Sequence, residues 1–293
     1  MATLSDQQVA LATRLTTGYK ARQNREAARI AALIAVYYQT RVDPASAESV
    51  DSWLELMIPR LIRRSDASAT ESAQFFMALR RIELGVNAPP FTPEPVLGAV
   101  DDGVRKSLMA IGPGDFMNKA TDIRGLDVDP QQKQAMLAEA KQVTTTKIAS
   151  AVLRHAQAGG RETIHRNAAA DETALGWVRV TKADPCFFCA MLASRGLAYR
   201  PFKEFSFDLS DQRFTGDGDA KVHDNCGCSL KPVYAENDPM VERTKQFADM
   251  WSMWGAGGGD AATRFRRGYE HFRKTGEYLT WEQADTSPGS RTQ

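Results

Sequence analysis

Cysteine is almost missing from this sequence. The 293 residues contain four, and all lie between positions 186 and 228. Net charge is also scarce, since 37 Lys and Arg face 36 Asp and Glu, leaving +1 at neutral pH. That balance excludes a globally basic nucleic-acid binder and leaves only local patches. No apolar run approaches the about 20 residues that a membrane-spanning helix needs. The opening residues Met1 to Asp6 lack the basic and apolar segments of a secretory signal, which leads us to expect synthesis in a cytoplasm and no membrane contact. Neither a Gly-x-Ser-x-Gly elbow nor a His-Glu-x-x-His helix occurs, so two common hydrolase signatures are absent.

What is present gathers around the cysteines. The segment reads Cys186-Phe-Phe-Cys189, then a turn-rich stretch, then His223-Asp-Asn-Cys226-Gly-Cys228. Two short clusters of thiol and imidazole ligands at this spacing have the form of a structural zinc site. Between them lie Arg200 to Asp211 and Gly216-Asp-Gly-Asp219, with little periodicity. Such a stretch cannot pin its own ends through a core. A metal can, because its binding free energy becomes folding free energy. Five candidates, Cys186, Cys189, His223, Cys226 and Cys228, compete for four positions, and spacing does not say whether Cys226 or Cys228 is spare. A reducing cytosol argues against disulfides. Unliganded buried thiols are one alternative, and a catalytic pair is another, with Cys186 or Cys189 as nucleophile beside His223 and Asp224.

The rest of the chain reads as mostly helical. Ile30, Leu33, Ile34, Tyr37 and Tyr38 mark a helix over residues 4 to about 40. Val50, Trp53, Leu54, Met57, Ile58, Leu61 and Ile62 mark a second, with a kink expected at Pro59. Ser68-Ala-Thr-Glu71 reads as a capping box opening a third, closed by Gly85. A fourth carries Leu97 to Ile111 and stops at Gly112-Pro-Gly114. A fifth runs from Pro130 to about Ala158, before Gly159-Gly160. After a short helix from Arg161, Trp177 to Thr181 alternates as a strand, and further strands are expected at Leu197 to Tyr199 and Cys228 to Tyr234. A helix follows Asn237, then a Gly-rich linker at 255–259. A basic aromatic helix at 264–274 could meet DNA phosphates and bases or a partner protein, and disorder is expected from Ala284 onward. The class is α+β and predominantly α: a helical portion at 1–160, a small β-rich Cys/His module at 161–236, and a C-terminal helix with linker and tail at 237–293.

The helix from Arg161 to Ala170, the strand ending at Asp184, Cys186/Cys189, His223/Cys226/Cys228 and Pro232 resemble one family. It is the minor head protein family named after protein F of phage Mu, and the resemblance covers residues 160 to 235. Two flanks differ: Asp184-Pro185 stands where the family has Arg-Thr, and Asp224 and Gly227 replace Pro and Arg of its His-Pro-Asn-Cys-Arg-Cys. The helical remainder is similar to the version carried by phages of actinobacteria, often labelled capsid maturation protease. The resemblance implies a low-copy protein inside the capsid near the portal, assembled in the host cytoplasm. Its partners would be the portal protein and the major capsid or scaffold protein. Packaged DNA is a further candidate through residues 264–274.

Overall fold

The computed structural model describes residues 3–100, 103–199, 226–255 and 260–286. Helix α1 (Asp6–Arg41) opens on Ser5, whose hydroxyl takes the Gln8 N–H while Gln8 Oε1 takes the Ser5 N–H. This reciprocal cap satisfies two donors that a bare helix end would leave open.

Helix α2 (Ala47–Leu84) corrects the sequence reading, which broke it in two. The chain runs on as helix past Pro59 and through Ser68. The expected capping residue Ser68 lies buried within it, its Oγ donating to Gln23 Oε1 at 2.6 Å, and Ser72 Oγ donates to the Ser68 carbonyl at 2.6 Å. Their hydroxyls find acceptors without ending the helix.

A second correction concerns Gly112-Pro-Gly114, expected to stop a helix. Helix α3 (Gly103–Met109) instead continues through a π turn (Ala110–Gly114) into α4 (Asp115–Arg124). Pro113 has no N–H to give, and the wider turn absorbs the missing bond. A Cβ at Gly112 would stand 2.9 Å from Ile148 Cδ1, so glycine lets the turn press onto the next helix.

That helix, α5 (Pro130–Ala156), is capped by Asp129, which accepts from Gln132 N–H at 2.9 Å. Helix α6 (Ala158–Ala170) then begins earlier than expected, because Gly159 and Gly160 are helical rather than terminating. A Cβ at Gly159 would meet the Ser65 carbonyl oxygen at 2.4 Å, and one at Gly160 would meet Ser68 Oγ at 2.4 Å. The glycines and serines together let α6 lie close against α2.

Ile34, Tyr38, Trp53, Leu54, Leu108, Ile148 and Val152 form the core shared by α1, α2, α3 and α5. A second core crosses from the helices into the sheet: Tyr19, Phe75, Phe76, Leu79 and Ile164 pack with Trp177, Leu230 and Tyr234. The sheet has three antiparallel strands in the order β2-β1-β3, with β1 at Gly176–Val180, β2 at Ala198–Tyr199 and β3 at Ser229–Val233. Every residue of β1 and β3 is buried, so both faces are covered. The architecture is therefore α+β and mostly α, in agreement with the sequence.

The C-terminal part is a third packing unit. Helices α7 (Phe187–Ala193), α8 (Pro239–Trp254), α9 (Ala261–Thr275) and α10 (Trp281–Thr286) enclose Phe188, Phe247, Trp254, Phe265 and Tyr269. A fully buried aromatic of this size contributes roughly 1.5–3 kcal/mol. Residues 284–286, expected to be disordered, belong to α10, and Ala284 is buried against this core. Part of the basic aromatic stretch of α9 is turned inward: Arg264, Phe265 and Tyr269 are buried, Phe265 is stacked on Tyr269 with centroids 5.7 Å apart, and Arg273 and Lys274 stay exposed. Arg264 Nε donates to the Trp254 carbonyl, and Arg267 donates to the Asp285 carbonyl at 2.6 Å.

Candidate metal centre

The knuckle is built by local geometry. Strand β1 delivers the chain into a turn at 181–185, and Cys186 then N-caps α7, its Sγ accepting the Cys189 N–H at 3.5 Å. The turn is held from the C-terminal helices. Tyr269 donates its hydroxyl proton to the Pro185 carbonyl at 3.1 Å, Arg243 donates to the Ala183 carbonyl at 3.0 Å, and Arg273 pairs with Asp184. From the other side, Cys226 and Cys228 lie just ahead of β3, whose pairing with β1 brings them to the same end of the sheet.

Cys189, Cys226 and Cys228 come together, their Sγ atoms all within 4.8 Å of one another and all three buried. The Cys189 and Cys226 sulfurs are 3.9 Å apart. Cys186 packs against the same cluster and is half-buried. Of the five residues singled out in the sequence, His223 lies outside the described residues, as do Asp224 and the turn-rich stretch at 200–225. Three cysteines of this geometry are close enough to hold a metal ion. A cavity of about 220 Å³ opens beside Cys186, Cys189 and Cys228.

The cluster is electrostatically uneven. Hydrogen bonds with Cys189 and Cys228 hold the Cys226 thiol well below its ordinary range, against the effect of burial, and Arg161 and Arg179 add to the lowering. Cys189 is pushed up by its bonds to Cys186, Cys226 and Cys228 and by burial. Cys228 is pushed up to about 12: the bond with Cys189 favours its thiolate, but the bond with Cys226, burial and the Cys226 charge outweigh it. A divalent ion would displace the thiol protons on binding.

Sequence reasoning missed the cations around this cluster. Arg161 comes from α6 and Arg179 from β1, and both are buried. Lys20 of α1 donates to the Thr181 carbonyl; burial holds its pKa down while Cys228 and Cys189 act in the opposite direction. The signal available beforehand was Arg179 itself, a charge in the middle of an apolar strand.

Comparison with known proteins gives one result. A family model described as VG15 protein matches residues 10–254, which takes in most of α1, α2 to α8 and all four cysteines. No curated protein and no solved structure matches the chain.

Proposed function

Because this chain belongs to the VG15 protein family, a family of phage proteins, we propose that it is a minor head protein of a phage capsid. In this reading it is the type of structural component named after protein F of phage Mu. It docks on the portal and on the major capsid or scaffold protein during head assembly. A zinc ion in the cysteine cluster closes the segment between β1 and β3. The observation that carries the reading is the convergence of Cys189 with Cys226 and Cys228 from two distant parts of the chain. Thiolates are soft donors and four-coordinate zinc is their common partner. The role assigned to the ion is to hold the fold, because the cluster ties Cys189 of α7 to the two cysteines just ahead of β3.

A capsid maturation protease using one of these cysteines is the competing reading. Burial of Cys189, Cys226 and Cys228 against one another favours binding, since a nucleophile needs access to substrate and a base within reach. The docking surfaces are helical. Leu33 and Val36 stand exposed on α1, and an apolar groove of about 330 Å³ between α4 and α5 is lined by Ile123, Leu126, Met136 and Val143. DNA contact through residues 264–274 has less support, since Phe265 and Tyr269 are occupied within the fold. No helix among the described residues is long and apolar enough to cross a membrane.

Quantitative mass spectrometry of purified procapsids and virions tests the role. The chain should be present at a few copies per particle, in fixed proportion to the portal rather than to the shell. Its absence from both particles would overturn the assignment.

A further inference from the structure

An ammonium and two carboxylates are shut in together where β3 meets the end of α2 and the start of α8. The side chains of Lys231, Glu83 and Asp238 are 2%, 0% and 1% exposed. Lys231 Nζ stands 2.7 Å from Glu83 Oε1 and also donates to Asp238 Oδ2. One positive and two negative charges leave an excess of buried negative charge, which a dry interior disfavours. A single added proton removes that excess. Glu83 is the group placed to carry it, since burial pushes its carboxyl up to about 7 although Lys231 pulls the other way.

With that proton in place, passing one proton from the ammonium to a carboxylate leaves an amine beside two carboxylic acids and no buried charge at all. An amine held against a carboxylic acid out of water is the reactant pair of an amide. Effective molarities of about 10⁵–10⁸ M are reached when such groups are well oriented within one molecule. Asp238 is oriented for acyl transfer. Its Oδ1 accepts the Met240 N–H at 2.8 Å in the first turn of α8, so negative charge building on that oxygen meets a backbone donor and the positive end of a helix. Its Oδ2 faces Nζ. The residue after Asp238 is Pro239, which has no N–H, so cyclisation onto the backbone is closed to this carboxyl.

We propose that Lys231 and Asp238 become joined by an amide bond between their side chains, with Glu83 as the proton carrier. The ion-paired arrangement is the state of the newly folded chain, and the bond forms from it in a slow step. Nζ, as the amine, attacks Cγ of protonated Asp238, and Oδ1 takes the developing charge. The Nζ–Cγ bond forms and the Cγ–Oδ2 bond breaks. Of the two amine protons, one stays on the amide nitrogen. The other passes through Glu83 to the Oδ2 hydroxyl, which departs as water, and Glu83 ends with as many protons as it began with. No electron is gained or lost. The product is a covalent ring over residues 231–238 that fixes α8 to β3, and it is independent of the metal centre.

Intact mass spectrometry of the full chain, straight after purification and again after incubation near neutral pH, reads the bond. The mass should fall by that of one water. Tryptic digestion should place the loss in residues 222–243, a peptide that holds both partners because Lys231 precedes Pro232. Fragments from backbone breaks between 231 and 238 should be missing. An unchanged mass, or a loss confined to another peptide, would overturn the proposal.

Three variants separate the roles. Lys231→Arg keeps a cation but not the amine, and its mass should stay whole; water loss from residues 222–243 in that variant would overturn the bond. Asp238→Asn should close the same bond with loss of one ammonia in place of water. Glu83→Gln should keep its full mass over the incubation in which the parent changes, and water loss at the parental rate would overturn the proton-carrier role. If Lys231→Arg does not fold, Asp238→Asn carries the test: loss of ammonia is the expected result, and an unchanged mass in a folded chain the contrary one.

Discussion

Lys231 on β3 sets its Nζ 2.7 Å from Glu83 Oε1 near the end of α2, with both side chains out of solvent. Asp238, the N-cap of α8, closes on the same ammonium. One cation therefore joins three elements, at the junction where the helical body meets the sheet. A second buried network runs beside it. Asp171 accepts from Arg80 Nε at 2.7 Å and from the Tyr234 hydroxyl at 3.1 Å. Both networks bind α2 to the stretch that follows α6.

The first prediction concerns pH. Burial pushes Glu83 up from 4.5 to about 7; Lys231 pulls it down and Asp238 repels its charge. The folded chain then holds a proton that the unfolded chain has already released. The stability this proton supplies is complete below about pH 4.5 and is lost as pH rises through about 7. Unfolding free energies from denaturant titration should be on the order of 2 kcal/mol higher at about pH 5 than at about pH 7.5 in the wild type. Glu83→Gln should flatten that difference. An unchanged slope in the variant would remove Glu83 as its source.

Removing the ammonium should be worse than removing a carboxylate. Lys231→Met leaves Glu83 and Asp238 buried and facing each other without a cation, at a cost of about 3–5 kcal/mol. Adding Glu83→Gln and Asp238→Asn to that variant should recover part of the loss, because no buried charge is then left unpaired. Urea unfolding of Lys231→Met, of Glu83→Gln with Asp238→Asn, and of all three changes together reads this directly, and strict additivity would contradict it.

Close approach of α6 to α2 makes a steric prediction. Gly159→Ala puts a methyl group 2.4 Å from a backbone oxygen, which no side-chain rotation relieves, and should cost about 1–3 kcal/mol. Gly18→Ala is the control. Nothing stands within 4 Å of its Cβ, and within α1 the change should stabilise by about 0.5–1 kcal/mol. Thermal unfolding of both variants should shift in opposite directions.

Arg264 is predicted to serve the fold. Its guanidinium bonds to the Trp254 carbonyl, lies 3.3 Å from Asp285 and sits over the Trp281 ring at 4.9 Å. Arg264→Ala should lower stability by about 1–3 kcal/mol and leave any salt-dependent DNA retention of the full chain unaltered. A drop in DNA retention without a drop in stability would restore the helix to a nucleic-acid role.

How far the sequence carried depended on the kind of signal. Apolar stripes such as Trp53, Leu54, Met57 and Leu61 revealed the helices, because burial imposes the helical period on the residues themselves. Ends were harder. Ser68 and Gly159-Gly160 carry the chemistry of boundaries yet lie inside helices, where small side chains serve close packing. Residues 264–274 looked like a basic face because composition does not say which arginines point inward. The cysteines could be recognised by spacing alone. Arg161 and Arg179 could not be tied to them, since they meet the sulfurs only through pairing of β1 with β3 and the docking of α6.

Metal content tests the central claim most directly. Elemental analysis of the full chain, purified under reducing conditions without added metal, should find about one zinc per chain, and Cys226→Ser should lose it together with a large part of the thermal stability. A metal-free chain in which all four thiols react freely while the protein stays folded would contradict the account.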